Sequence, residues 1–255
     1  MDVTIVGCAG SFAGPDSPAS SYLVRAEHEG RTWSVVLDLG NGALGALQRH
    51  IDPLSVDAIL ISHLHVDHCI DMCGLYVMRR YTPTGPLAEA TAVHGPPGTE
   101  QRLVVAYGSP ELEDVPGVFD FHDLADRAPV RIGPFTITPM RVNHPIECYG
   151  FRVVAGGRTL AYTGDTDTCD ALTPLLTGAD LVLADSAFVD GRDDVSGIHL
   201  SGRRAAEAAV RAGGVQRLML THLPAWNDPE VCRAQAAAVW PGEVELARPD
   251  STYTL

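Results

Sequence analysis

Short apolar runs rich in Val, Ile and Leu recur along the chain, separated by clusters of Gly, Pro, Asp and Asn. Runs bounded in this way are strand signals. They predict strands at 3–7, 22–24, 33–38, 59–61, 92–94, 130–132, 135–140, 142–145, 181–184 and 218–222, with a hairpin at 150–154 and 159–163 across Gly156-Gly157. Helical spacing predicts helices from 67 or 69 to 81, from about 99 to 108, from 202 to 213 with Ser201 as its cap, and from 228 to 240. The segment 7–21, rich in Gly, Ser, Pro and Ala, reads as a loop. Gly40-Asn41-Gly42-Ala43-Leu44-Gly45 is a literal G-x-G-x-x-G, but no dinucleotide-binding half surrounds it, so a tight strand-to-helix turn is the better reading.

With 255 residues, 45% hydrophobic and 20% charged, the chain is long enough for a large core in one domain, and no break in composition argues for two. The charge narrows the partners. Thirty-two acidic against eighteen basic residues give a net charge of -14, and every basic residue is Arg. A long nucleic-acid polyanion is repelled by such a surface, whereas a small anionic substrate drawn to bound cations is not. Met1 leads straight into the first strand, and no apolar run approaches membrane-spanning length, so a cytoplasmic protein without a membrane partner is expected. Cys8, Cys69, Cys73, Cys148, Cys169 and Cys232 lack paired spacing and read as free thiols.

The densest chemistry follows the run at 59–61. Ser62-His63-Leu64-His65-Val66-Asp67-His68 places three imidazoles and a carboxylate within a few residues. On extended backbone, alternate side chains share a face, so His63, His65 and Asp67 are expected to converge while His68 turns to a neighbouring point. That layout suits two adjacent divalent ions, and a ligand set without thiolate leaves room for a reactive water. Surface histidines with Asp67 as a helix cap are the bland alternative, and the density of the cluster argues against it. Elsewhere, His94 reads as structural, and Arg79-Arg80 as a solvated or carboxylate-paired couple rather than a phosphate anchor.

His63-x-His65-x-Asp67-His68, then Asn143-His144, then Thr163-Gly164-Asp165-Thr166, then Leu220-Thr221-His222 together resemble the signature of the metallo-β-lactamase fold superfamily. Nearly the whole chain is covered. The resemblance is nearest to the ribonuclease Z-like branch, and closer still to actinobacterial relatives described as atypical cyclic-nucleotide phosphodiesterases. It implies an α+β fold, a four-layered αββα sandwich in a single domain, with two divalent ions, zinc or alternatively manganese. By the same resemblance His63, His65 and His144 hold the first ion, Asp67, His68 and His222 the second, and Asp165 bridges them. Asp165 occupies the position where lactam-opening members usually carry Cys. Asp185, where Glu is more usual, orients His199 as proton donor to the leaving oxygen, and Asp67 takes the proton of the attacking water.

The implied activity is hydrolysis of small cyclic nucleotides such as 3',5'-cyclic AMP by hydroxide held between the ions. Lactone or thioester hydrolysis, tRNA 3'-end cleavage, iron-based redox chemistry and a non-catalytic metalloprotein are the alternatives. The tRNA-processing members carry a long arm where this chain has a short acidic connection at 109–126, which argues against tRNA. A homodimer is implied, with that connection as one contact.

Overall fold

The computed structural model describes residues 1–85, 87, 89–108 and 115–255. Its strands, in chain order, are β1 (Asp2–Gly7), β2 (Ser21–His28), β3 (Arg31–Leu37), β4 (Ala58–Leu60), β5 (Thr91–Gly95), β6 (Phe119–Asp123), β7 (Val130–Ile132), β8 (Phe135–Arg141), β9 (Tyr149–Ala155), β10 (Arg158–Tyr162), β11 (Leu181–Asp185), β12 (Leu218–Thr221), β13 (Val244–Leu246) and β14 (Thr252–Thr254). The helices are α1 (Ala43–Leu47), α2 (Val66–Cys69), α3 (Met72–Arg80), α4 (Thr99–Tyr107), α5 (Val115–Val118), α6 (Leu172–Leu176), α7 (Gly202–Ala212) and α8 (Pro229–Ala237).

Two mixed sheets result. One runs β14-β1-β2-β3-β4-β5-β6 and the other β13-β12-β11-β10-β9-β8-β7. In the first, β3 through β6 are parallel and the rest antiparallel; in the second, β10 through β13 are parallel. The apolar runs are continuous because these strands are covered on both faces. On β3, Val35 and Leu37 point into the layer between the sheets while Val36 points out to the helices; on β11, Leu181 and Leu183 point in while Val182 and Ala184 point out. Each such side chain contributes about 1.5–3 kcal/mol by leaving water. Helices α1, α3 and α4 cover the outer face of the first sheet and α6, α7 and α8 that of the second, giving helix, sheet, sheet, helix: the α+β metallo-β-lactamase architecture.

Several boundaries differ from expectation. The helix after the histidines is broken into α2 and α3, so Cys69 and Cys73 lie on separate helices, both packed against the outer core of the first sheet. Segment 142–145 is no strand; it makes an isolated bridge, Asn143 to Asp167, because β8 has run out of partners. The hairpin and the Ser201 cap are present, with Ser201 Oγ accepting from Arg204 N at 3.3 Å. Part of the expected dimer contact, 109–114, lies outside the described residues. Gly40 is needed for a close approach: a Cβ there would collide with the carbonyl oxygen of Asp67. The glycine motif therefore buttresses α2, through Leu39 N to His68 O at 2.7 Å, rather than cradling a phosphate.

Candidate metal centre

Strand after strand ends at one place. Asp38 follows β3, His63 follows β4, His144 follows β8, Asp165 follows β10, Asp185 closes β11 and His222 follows β12. The carboxyl ends of parallel strands are where such sheets offer a ligand crevice. Here they offer two touching clusters and a third group that overlaps the second. Ligand-type atoms of His63, His65 and His144 lie within 4.8 Å of one another, as do those of Asp67, His68, Asp165 and His222, and those of Asp165, Asp185, His199 and His222.

In the first cluster, His65 Nδ1 is 3.0 Å from His63 Nε2 and 3.1 Å from His144 Nε2. In the second, Asp165 Oδ1 is 3.3 Å from His68 Nε2 and 3.2 Å from His222 Nδ1, and Asp67 Oδ2 is 3.4 Å from His68 Nε2. The other oxygen of Asp165, Oδ2, lies 3.7 Å from His63 Nε2. One carboxylate thus faces both clusters with a different oxygen.

These groups fit divalent cations. His68 Nε2 and Asp165 Oδ1 are buried, face each other and have no hydrogen-bond partner. Native proteins rarely leave buried polar atoms in that condition. In the first cluster a neutral imidazole carries only one N–H, so three ring nitrogens at this spacing present more lone pairs than protons, which a cation resolves. The histidines are also held from behind, as metal-binding histidines usually are. His68 Nδ1 donates to Asp38 Oδ2 at 2.8 Å, and His144 Nδ1 donates to Ile198 O at 2.9 Å. Asp38 further accepts from Ser62 N at 2.6 Å, Ser62 Oγ at 2.8 Å and the Tyr162 hydroxyl at 2.8 Å. Asp38 and His222 both adopt positive φ, 60° and 55°, a strained state for residues with a Cβ that clusters at functional sites.

Beside the clusters, His199 Nδ1 bonds Asp185 Oδ2 at 2.9 Å. The shorter Asp side chain reaches because its backbone is fully buried at the end of β11, where Oδ1 also accepts from Ala187 N at 3.1 Å and Oδ2 from Thr166 N at 3.0 Å. Burial alone would lower the pKa of His199, but the charge and hydrogen bond of Asp185 outweigh it and raise it to about 9. Asp167 secures this segment, accepting from Gly197 N at 2.7 Å and pairing with Arg204.

The electrostatics divide along the same line. Burial, reinforced by His68, pushes His63 well below its ordinary pKa. Burial opposes the charge on His68 too, yet Asp165 and Asp38 hold it well above. Burial would raise Asp165, but His222 and His68 hold it well below the carboxylate range.

Alternation on an extended strand does not describe the cluster. β4 stops at Leu60, so His63 and His65 leave a loop, and Asp67 and His68 project from α2. Asp67 therefore joins His68 and not His63 and His65. His94 is not solitary: His122 on the neighbouring strand stacks on it at 4.8 Å, and burial followed by His122 lowers its pKa to about 4. Arg79 is buried rather than solvated, donating to Glu89 O at 2.6 Å and Leu54 O at 3.4 Å. The resemblance places the Asp38-x-Gly40 turn near the metals but gives the Asp38 side chain no role; its signal is a lone carboxylate ending an apolar strand, two positions before Gly40.

The family description "Beta-lactamase superfamily domain" matches residues 34–223. The chain belongs to that superfamily. Among its relatives, the uncharacterized protein Rv1339 of Mycobacterium tuberculosis is 45% identical over 255 residues, covering 98% of this chain and 91% of the relative. The probable metallo-hydrolase YhfI of Bacillus subtilis is 30% identical, with 97% of each chain covered. The crystal structure of YhfI, described as a metallo-β-lactamase fold protein, superposes with a TM-score of 0.85 at 28% identity over 99% of both chains. A ribonuclease Z of Mycobacterium bovis is 28% identical, covering 96% of this chain and 95% of that protein. This superfamily member is thus a metallo-hydrolase, and among its described residues no helix is long and apolar enough to cross a membrane.

Proposed function

We propose that this metallo-hydrolase is a phosphodiesterase acting on small cyclic nucleotides such as 3',5'-cyclic AMP. The observation that carries the reading is the His199–Asp185 pair set against the two clusters that Asp165 faces with its two oxygens. His63, His65 and His144 would hold one divalent ion and Asp67, His68 and His222 the other, with Asp165 between them; zinc is our first choice and manganese the second. When bound, such ions make a nearby water acidic and draw charge from a phosphoryl group. The chain's own residues supply the rest. Asp67, whose carboxyl is kept ionised by His68 and His222 against the effect of burial, accepts the water proton. His199 carries a proton at neutral pH and, with Nδ1 engaged by Asp185, offers Nε2 to the departing ribose oxygen. An alkoxide is a poor leaving group, so a protonated donor matters more here than for a thioester. The similarity to a ribonuclease Z supports phosphoester chemistry, and the net charge of -14 favours a small substrate over a nucleic acid.

The test is hydrolysis of 3',5'-cyclic AMP by purified protein supplied with zinc or manganese. Asp67→Ala and His199→Ala should each lose about 10²–10⁴-fold in turnover, the scale of general acid and base catalysis. No turnover by fully metal-loaded protein, alongside hydrolysis of lactones or thioesters, would sink the reading.

A further inference from the structure

Two turns run side by side at the His222 edge of the centre. Leu223 N donates to Cys8 O at 3.2 Å, and Ala9 bridges Leu223. Ser11 N donates to His222 Nε2 at 3.3 Å, and a Cβ on Gly10 would collide with the His222 backbone. Each turn presents one aromatic ring. Phe12 and Trp226 meet with ring centroids 4.7 Å apart and planes tilted by 46°.

Trp226 is 66% exposed, the highest value among the large apolar side chains of the described residues. A tryptophan normally buries most of its area. Its exposure does not come from a loose loop. Asn227 N closes the turn on Pro224 O at 2.8 Å, and the buried Asn227 side chain is anchored to Ala187 O and Arg192. The Phe12 turn is likewise held, by Phe12 N to Gly10 O at 2.7 Å, with Ser11 at a strained φ of 63°. Other exposed apolar side chains stand next to site residues as well: Val66 between His65 and Asp67, Ile146 near His144, and Val195 near His199. In an acidic protein, exposed apolar side chains thus follow or precede several site residues in the chain, and the exposed indole of Trp226 follows His222.

We infer that Trp226, backed by Phe12, is the stacking surface for the planar base of the substrate, making the base a determinant of specificity. This rests on the phosphodiesterase reading and goes beyond it. A base lies flat on the indole while its phosphodiester reaches the clusters, and every nucleobase offers a π face. No hydrogen-bonding side chain is required, so purine and pyrimidine substrates differ by stacking strength alone.

The experiment compares 3',5'-cyclic AMP with the base-free 3',5'-cyclic phosphate of methyl riboside. Wild-type protein should prefer the nucleotide, and Trp226→Ala should reduce that preference about tenfold, through KM rather than kcat, with recovery in Trp226→Phe. Equal use of both substrates by wild type, a loss spread equally over both in Trp226→Ala, or conversion of a dimer to monomer by the substitution would each overturn the inference. Adenosine binding gives a readout that needs no turnover. It should quench tryptophan fluorescence in wild type and do so much less in Trp226→Phe. If wild type cleaves neither cyclic phosphate yet adenosine quenches Trp226, the phosphodiesterase reading falls and the stacking surface stands; absence of quenching removes the stacking surface whatever the activity.

Discussion

His65 and His144 remain half-buried, whereas Asp67, His68, Asp165 and His222 are all buried. The first cluster, which we call the imidazole lobe, brings three imidazole rings together and no carboxylate of its own. The second, the carboxylate lobe, holds two carboxylates, Asp67 and Asp165, which neighbouring imidazoles keep below the ordinary carboxylate range against the effect of burial. A divalent ion entering the imidazole lobe meets no fixed charge except through Asp165, while one entering the carboxylate lobe meets opposite charge in a dry setting, where Coulomb attraction is least screened. The lobes are also supported differently. A backbone carbonyl, Ile198 O, orients His144, but a buried carboxylate, Asp38, orients His68. The comparison teaches that the carboxylate lobe offers a cation fixed negative charge in a buried setting, whereas the imidazole lobe offers ring nitrogens that stay partly open to solvent.

Because Asp165 is a carboxylate that faces both lobes, its replacement has the largest expected effect. Asp165→Asn keeps the size of the side chain and removes the charge. Metal content should fall in both lobes, and hydrolysis should drop more than about a hundredfold, since changes merely behind the ligands already cost 10–100-fold. Elemental analysis against activity checks this. Retention of one ion at full occupancy would show that the carboxylate serves a single lobe.

How much of this was legible in the sequence depends on how local each feature is. The candidate ligands stood out because His63, His65, Asp67 and His68 fall within one short motif and the remaining candidates follow apolar runs. The parallel strands β4, β11 and β12 were legible for the same reason: burial on both faces leaves unbroken runs of Val, Ile and Leu. Long-range partners were not. Asp38 meets His68 thirty positions later, and Trp226 meets Phe12 across most of the chain, with no periodicity to announce either contact. The alternation that seemed to unite His63, His65 and Asp67 failed because the backbone leaves the strand before the first of them and enters α2 directly after His65.

Asp38 offers a sharper division of the lobes. Asp38→Asn leaves a neutral partner for His68 Nδ1 and reaches the imidazole lobe only indirectly, through Ser62 Oγ, which lies 3.0 Å from His63 Nδ1. Calorimetric titration of zinc into metal-free protein should show the His68 site weakened about 10–100-fold and the other distinctly less. Equal weakening of both would mean that the lobes bind as a unit and that the division is only geometric.

The smallest effect is on stability, and in it His63 and His65 should respond to pH with a sign opposite to that of His68. Burial and neighbouring imidazoles hold His63 and His65 below the ordinary value of 6.5. The unfolded chain then binds protons that the folded chain refuses, so this contribution is present above pH 6.5 and lost as pH falls below it. His68 is held above 6.5 by Asp165 and Asp38, so its contribution is present below that value and lost as pH rises through the folded pKa. Asp67 and Asp165 also lose stability on acidification, but only below their ordinary value of 3.8, which separates their window from that of the histidines. His94 adds to the acid limb in every variant alike and cancels in differences. Thermal midpoints of metal-free protein between about pH 5 and 9 should therefore show His63→Asn flattening the acid side and Asp38→Asn flattening the alkaline side. Shifts of a few degrees are expected, given about 2–4 °C for each kcal/mol in a chain of this size. If His63→Asn flattened the alkaline side instead, the imidazole lobe would be the protonated one, and its three rings would repel a cation until the pH was raised.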